Sequence, residues 1–321
     1  MTIGIPTRNR VGLLERSLKS ALDQDYPNLD VFVSDNASTD STGELLSSFG
    51  TAIRYVSSSE TLTIAENWNR TLDNAQGEYF LLLSDDDFLV PSAVSRLMET
   101  FLRDPGSVAL VYGKSELLRE TEGAAVSAMW TIPPESEPVS EFILQSYKSR
   151  RYYPTGATMC RTSEMRAKGG YSWGGFGLVL DMAMVVKICS MDTLRRVVFV
   201  PHVVFTSVVH KGNLSGSAGI LEWSDEIYRL SRMAAGILNL PPRSAKEMLD
   251  CAEAYLIRFV FYLAMSRRRT LGDSVSLLTY VLRISVRHLN AASLPVFVRM
   301  LLKYLIPNKI IGRLRIIKSG Q

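Results

Sequence analysis

Cysteine and histidine are scarce in this chain, with three of each. Cys160, Cys189 and Cys251 form no CxxC pair and leave an odd count. That excludes a disulfide framework and points to reduced thiols in a cytosolic setting. Long apolar runs are missing too. No segment reaches the ~18 uninterrupted apolar residues that mark a membrane-spanning helix. The amino terminus, Met1 to Pro6, enters an apolar run at once, without a basic stretch and apolar core before it, so no signal peptide is expected. No internal repeat or low-complexity segment is apparent.

What is present fits one large or two modest globular domains in 321 residues. The net charge of +4 hides an asymmetry. Residues 1–221 hold 20 Lys/Arg against 25 Asp/Glu, and residues 222–321 hold 16 against 7. Balances of −5 and +9 point to two regions with different surroundings. The expected division is therefore 1–221 and 222–321.

In the first region strand and helix signals alternate. Thr2–Pro6, Leu29–Ser34, Ile53–Val56 and Glu78–Leu83 are short strand-type runs. Val11–Asp23 carries Leu14, Leu18, Ala21 and Leu22 at helical spacing. Ser38 or Thr39 is placed to cap a helix through Leu45 and Leu46, and Leu62–Ala75 is helical up to the stop at Gln76-Gly77. This alternation predicts βαβ units and a mainly parallel sheet. Right-handed crossovers then bring the strands' C-terminal ends to one face. Asp35, after the second strand, and Asp87, after the fourth, look into one crevice. Further on, Val108–Leu118 reads as a strand, Thr131–Glu137 as a loop and Tyr153–Cys160 as extended chain. Leu178–Ser190 reads as an apolar helix, and Thr193–Val200 and His202–Val209 as two strand-like runs split by Pro201.

The most informative feature is Asp85-Asp86-Asp87 directly after the apolar run Tyr79–Ser84. Adjacent carboxylates repel and raise each other's pKa unless a cation neutralises them. Hard oxygen ligands suit Mg²⁺ or Mn²⁺, which bind through one or two carboxylates plus substrate phosphates. A solvated acidic turn before a helix near Pro91 is the plainer reading. The position at a strand's carboxyl end, where open α/β sheets bind ligands, favours a metal and phosphate site.

Gly4-Ile5-Pro6-Thr7-Arg8-Asn9-Arg10, then Val33 to Asp40 (VSDNASTD), then Asn69, Gly77-Glu78-Tyr79 and the Asp triplet resemble glycosyltransferase family 2. Order and spacing match over about residues 2–215, which is far more specific than any single motif. The resemblance implies an inverting, nucleotide-sugar-dependent enzyme. Its expected fold is the Rossmann-like α/β GT-A fold with a mainly parallel sheet and flanking helices, followed here by a C-terminal helical region.

By that resemblance, Pro6, Thr7, Arg8 and Asp35 bind the nucleotide, and Asp35 accepts a base N–H. Alone, Asp35 reads as a turn residue bonding nearby backbone. Alignment through Phe88-Leu89-Val90-Pro91 places Asp86 near the ribose and metal waters and Asp87 on the metal. Asp85 is an extra carboxylate without an assigned role, and Ser84 stands where the family has its first Asp. His210, in the segment His210-Lys211-Gly212-Asn213-Leu214-Ser215, is implied to contact metal or phosphate, and the residues after it to form a lid. A lone histidine after a strand is otherwise more often structural. Asp181 is implied to be the general base that takes the acceptor's proton. A carboxylate opening a helix is also an ordinary dipole partner. Leu180 replaces the usual Glu before it, and Gly174–Gly177 upstream allow close backbone approach to a sugar.

The last hundred residues lie outside the resemblance. Ala254–Met265, Ser274–Leu289 and Leu294–Ile306 are apolar helical segments with interspersed arginines. Basic amphipathic helices commonly lie on anionic membranes, and a peripheral location at the inner face of the cytoplasmic membrane is expected. A helical cap or a homo-oligomer interface is the competing reading. Nucleic acid is not expected, because no module for it is visible. The implied partners are a nucleotide-sugar donor and a glycan or lipid-linked acceptor of a bacterial surface polysaccharide, with Mn²⁺ or Mg²⁺ as cofactor. A nucleotidyltransferase would normally carry a glycine-rich loop after the first strand, and Thr7–Arg10 has no glycine. A degenerate carbohydrate-binding scaffold is the non-enzymatic alternative, prompted by Leu180.

Overall fold

The computed structural model describes residues 1–119, 125–127, 131–148, 151–167, 169–210, 220–238, 242–266, 282 and 294–305. The chain divides into two compact units, Met1–Lys211 and Gly212–Gln321.

The first unit is built on one sheet. Strands β1 (Thr2–Thr7), β2 (Asp30–Asp35), β3 (Arg54–Ser57) and β4 (Tyr79–Leu82) are the expected ones, each within two residues of its predicted ends. β1 pairs in parallel with β2 and β4, and β2 with β3. Every residue of β1 and β4 is buried, so both faces are covered and the strands read as continuous apolar runs rather than alternating ones.

The crossovers are helices with one apolar face. α1 (Val11–Leu22) buries Leu14, Ser17, Leu18 and Ala21, the spacing of one helical stripe. α2 (Thr42–Ser48) follows β2. Its N-cap is Ser41, which makes no side-chain capping bond. The expected capping residues are used elsewhere: Ser38 Oγ accepts from Asn9 N and Thr39 N donates to Asn9 Oδ1. α3 (Ile64–Asp73) opens with a capping box between Thr63 and Glu66. It packs so close to β1 that a Cβ on Gly4 would lie 2.7 Å from both Thr71 and the Phe80 ring. Only glycine fits there.

Beyond β4 the sheet turns mixed. β5 (Phe88–Leu89), α4 (Ala93–Arg103), β6 (Val108–Arg119) and β7 (Ala125–Ser127) follow. Then come β8 (Ser136–Pro138), α5 (Val139–Tyr147), β9 (Thr158–Arg161), α6 (Thr162–Arg166), α7 (Leu180–Met191) and β10 (Arg196–Val209). The main order is β3-β2-β1-β4-β9-β6-β10-β5. β9 is antiparallel to both β4 and β6, and β10 runs parallel to β6. The sheet is thus parallel in its first half and mixed in its second.

Pro201 does not separate two strands. β10 runs through it, with register shifts between Val200 and Val203 and between Val203 and Phe205. A proline lacks the donor the ladder needs, and a bulge accommodates it.

In the second unit α8 (Ile220–Ile237) and α9 (Pro242–Ser266) pack together, and a helix over Leu294–Leu305 packs on α9. Ile227, Leu230, Ser231 and Ala234 form the buried stripe of α8, and Leu238 just beyond its end is buried as well. Among the described residues no helix is long and apolar enough to cross a membrane. The expected helix Ser274–Leu289 lies outside the described residues apart from Leu282.

Candidate active site

The C-terminal ends of β1, β2 and β4 share one face. β1 and β2 end together, with Pro6 opposite Ser34 and Thr7 opposite Asp35. The loops that follow are clasped through Asn9, Ser38 and Thr39, and Val11 N donates to Asp40. Asn9 and Ala37 take the left-handed conformation, at φ 52° and 53°. Asn tolerates that region and Ala is rare in it, so the turn after β2 is held against a local preference. Asp35 is buried, and its Oδ1 accepts from Ser38 N at 3.1 Å. Arg70 of α3 donates to the Asp35 carbonyl.

The acidic row lies between β4 and β5. All three carboxylates are buried, at 5%, 7% and 8% exposure for Asp85, Asp86 and Asp87. Asp87, at the strand end, is covered by β10. Its Oδ1 accepts from Val208 N at 2.8 Å. The backbone of the turn is held from α1, where Ser17 Oγ donates to the Ser84 carbonyl at 3.0 Å and Arg16 to the Asp86 carbonyl at 3.1 Å.

Side chains from three segments converge on the row. Thr7 Oγ1 donates to Asp85 at 2.8 Å. Arg10 Nη1 lies 3.0 Å from Asp85 Oδ1 and 3.1 Å from Asp86 Oδ2. His210 Nε2 is 3.1 Å from that same Asp86 oxygen. Burial raises Asp85 to about 6, with Arg10 opposing and Asp86 adding to the rise. Burial and then Asp86 push Asp87 up to about 8, against the Val208 N–H and the Ser207 hydroxyl.

A divalent cation suits this donor set. Two hard carboxylates stand beside an imidazole, and burial holds Asp87 protonated near neutral pH until a cation offsets its charge. Among the described residues no group of three or more His, Cys, Asp or Glu forms a ready-made metal cage.

Arg8 is exposed and its side chain makes no hydrogen bond or ion pair among the described residues. Arg10 turns inward instead. The sequence reading gave no role to Arg10, Arg16 or Ser17; the available signal was a pair of arginines flanking the start of α1 in an acidic region. Residues 212–215, expected to form a lid, lie outside the described residues.

Asp181 sits in the first turn of α7, and its Oδ1 accepts from Met182 N at 2.8 Å. It keeps some exposed surface, yet burial raises its carboxyl, against the local backbone N–H groups. It shares no hydrogen bond with the acidic row among the described residues. Leu180 points into the core, 2% exposed, so no polar group stands where the resemblance expects Glu.

The approach to α7 is the turn Gly170–Gly175. Asn69 holds it, accepting from Tyr171 N and donating to Ser172 Oγ, both at 2.7 Å. Gly170 has φ 56°, and a Cβ there would come within 2.1 Å of Asn69 Oδ1. A small cavity of about 20 Å³ lies beside Asp181, lined also by Tyr171, Thr155, Thr158 and Cys160.

The family model "Glycosyl transferase family 2" matches residues 2–163. Over 103 residues the chain is 35% identical to a GalNAc(5)-diNAcBac-PP-undecaprenol beta-1,3-glucosyltransferase of Campylobacter jejuni, covering 31% of this chain and 33% of that one. It is 33% identical over 114 residues to a chondroitin synthase of Pasteurella multocida, covering 35% of this chain and 12% of that protein. The chain thus matches only a third or less of these relatives' length. Among solved structures, S. aureus TarS 1–349 in complex with UDP-GlcNAc superposes with a TM-score of 0.59 at 16% identity, covering 96% of this chain and 82% of that one. The mannosyltransferase PcManGT from Pyrobaculum calidifontis, in complex with GDP-Man and Mn²⁺, gives 0.56 at 17% identity, covering 94% and 86%. At such identities these structures speak for the fold, a mixed sheet with flanking helices.

Proposed function

The chain belongs to glycosyl transferase family 2, and from that premise we propose that it is an inverting glycosyltransferase using a nucleotide-sugar donor and a hydroxyl acceptor. The observation that carries the reading is the buried row Asp85–Asp87 facing the clasped loops after β1 and β2, with Asp181 placed apart from it.

The residues divide the work. Pro6, Thr7, Arg8 and Asp35 line the base and ribose end of the crevice, and Asp35 accepts an N–H of the base. Asp86 lies toward the ribose. Asp87 and His210 would hold a divalent cation, Mn²⁺ or Mg²⁺, which would supply charge neutralisation to the diphosphate leaving group. Asp181 accepts the proton of the acceptor hydroxyl as that oxygen bonds to the anomeric carbon. The bond from that carbon to the diphosphate oxygen breaks on the opposite face, and the configuration inverts. A raised carboxyl suits this task, because a base works best with a pKa near the working pH. Leu180 leaves the acceptor side of α7 without the family's usual carboxylate, which favours an acceptor recognised through the Gly170–Gly175 turn.

The Campylobacter relative's name supports a lipid-linked glycan acceptor, and the product in this reading is a bacterial surface polysaccharide. The +9 balance of residues 222–321 supports a peripheral site at the inner face of the cytoplasmic membrane, on anionic lipid. Association with a second copy through the same helices is the competing use of that surface.

A thermal-shift panel of UDP-, GDP-, dTDP- and CMP-sugars with and without Mn²⁺ tests the donor reading. A donor at a hundred times its dissociation constant stabilises by about 2.7 kcal/mol. A metal-dependent shift with one nucleotide class is expected. No shift with any of them contradicts the reading.

A further inference from the structure

Asp85 has no task in that division of labour, yet it is the most buried of the three carboxylates. Both its oxygens turn back into the protein, one to Thr7 Oγ1 and the other to Arg10 Nη1. Thr7 ends β1, and Arg10 precedes α1. Asp85 therefore spans the loop at both ends. The same Arg10 nitrogen reaches on to Asp86 Oδ2, which His210 also contacts.

Other ties to this loop are of a different kind. Asn36 N donates to the Thr7 carbonyl and holds the end of β1 through backbone, while Asn9 bonds to Ser38 and Thr39, and Val11 to Asp40, at exposed positions where water competes. Arg16 and Ser17 bind backbone carbonyls of the acidic turn and fix it to α1, without touching residues 7–10. The Asp85 contacts are charge-assisted, the one from Thr7 buried and the one from Arg10 partly so, and such bonds are stronger and more directional.

We propose that Asp85 is a positioning residue for the donor nucleotide: it locks Thr7 and Arg10 onto the carboxylate row and so fixes the loop that faces the base. The assignment takes the crevice as a nucleotide-sugar site, as proposed above. Without Asp85, Thr7 stays in β1, but Arg10 loses its Asp85 contact, and its contact with Asp86 is shared with His210. The loop after β1 then samples positions that do not meet the nucleotide.

The test pairs a ligand-free readout with a binding readout, on the full chain. Asp85→Ala removes both contacts. Asp85→Asn keeps the shape and one acceptor but turns an amide N–H₂ toward the other partner, which guards against a variant that fails to fold. Amide hydrogen exchange over residues 7–11 should speed up in both variants, with exchange in β4 and α1 unchanged. Calorimetry with UDP, GDP, dTDP and CMP in the presence of Mn²⁺ should show the preferred nucleotide bound about tenfold more weakly, as for loss of one charge-assisted hydrogen bond. Arg10→Gln should also weaken binding, and the double variant should lose less than the product of the two single losses, because the two share the Arg10–Asp85 contact. Unchanged loop exchange overturns the clamp whatever the nucleotides do. Losses that multiply in the double variant overturn the claim that Asp85 acts through Arg10. If the wild-type protein binds none of the four nucleotides, the donor reading fails, and the exchange data alone then report on the clamp.

Discussion

Cation uptake at the acidic row is expected to release a proton from Asp87. Burial and Asp86 place that carboxyl at about 8. Between pH 8 and pH 6 its ionised fraction then falls from about one half to about one hundredth. A cation that needs the ionised form binds about 50-fold more weakly at pH 6. Folding stability of the metal-free protein runs the other way. The folded pKa lies above the unfolded one, so the stability Asp87 lends is complete below about pH 4 and is lost as pH rises through about 8. Between pH 6 and pH 8 the loss is about 2 kcal/mol. Calorimetric Mn²⁺ titrations at pH 6, 7 and 8 read the first slope, with a nucleotide sugar whose phosphodiesters stay ionised throughout. Two buffers of different ionisation heat count the proton. Urea unfolding of the metal-free protein reads the second slope, which should shrink by about 2 kcal/mol between pH 6 and pH 8 in Asp87→Asn. Affinity that is flat from pH 6 to pH 8, with no proton released, refutes Asp87 as a ligand that must first ionise.

Asp181→Asn should leave donor binding intact and lower transfer by ~10²–10⁴-fold; transfer at the wild-type rate would reduce Asp181 to a helix-capping carboxylate. Because burial raises its carboxyl, the charged form costs stability at neutral pH. The Asn variant should therefore melt higher than wild type at pH 8 and lose that advantage below the unfolded pKa. Gly170→Ala forces a left-handed alanine against Asn69 and should cost about 2–3 kcal/mol in urea unfolding, from the backbone penalty and a lost hydrogen bond. An unchanged midpoint would show that the turn before α7 relaxes freely. The full chain should co-sediment with anionic vesicles, each Lys/Arg near the surface adding about 1 kcal/mol, and salt or truncation after about Trp223 should weaken this. Equal pelleting with neutral vesicles removes the electrostatic part, and no pelleting together with a stable dimer assigns these helices to a protein interface.

The parallel half of the sheet was legible because β1, β2 and β4 are buried along nearly their whole length, and such strands appear as unbroken apolar runs between amphipathic helices. The mixed half was not. β9 is four residues long and inserts antiparallel between β4 and β6, a pairing that no local pattern encodes. Pro201 looked like a strand break because a proline's missing donor is visible in sequence, while the bulge that absorbs it is not. At the site, the Asp triplet and its place after β4 could be read directly. Its burial could not, since that depends on β10, more than a hundred residues later, laying Val208 against Asp87. Nor could the inward turn of Arg10 in place of Arg8, which is set by the Asp85 and Asp86 carboxylates it meets across the crevice.

The stereochemistry of the first product tests the central claim most directly. Slow donor hydrolysis needs no knowledge of the acceptor, because water takes its place. With Mn²⁺ and the α-linked nucleotide sugar that stabilises the protein best, proton NMR of the anomeric region should show the β anomer appearing first, together with the free nucleoside diphosphate. Initial release of the α anomer, or no diphosphate from any donor that binds, would contradict an inverting transferase with Asp181 as its base.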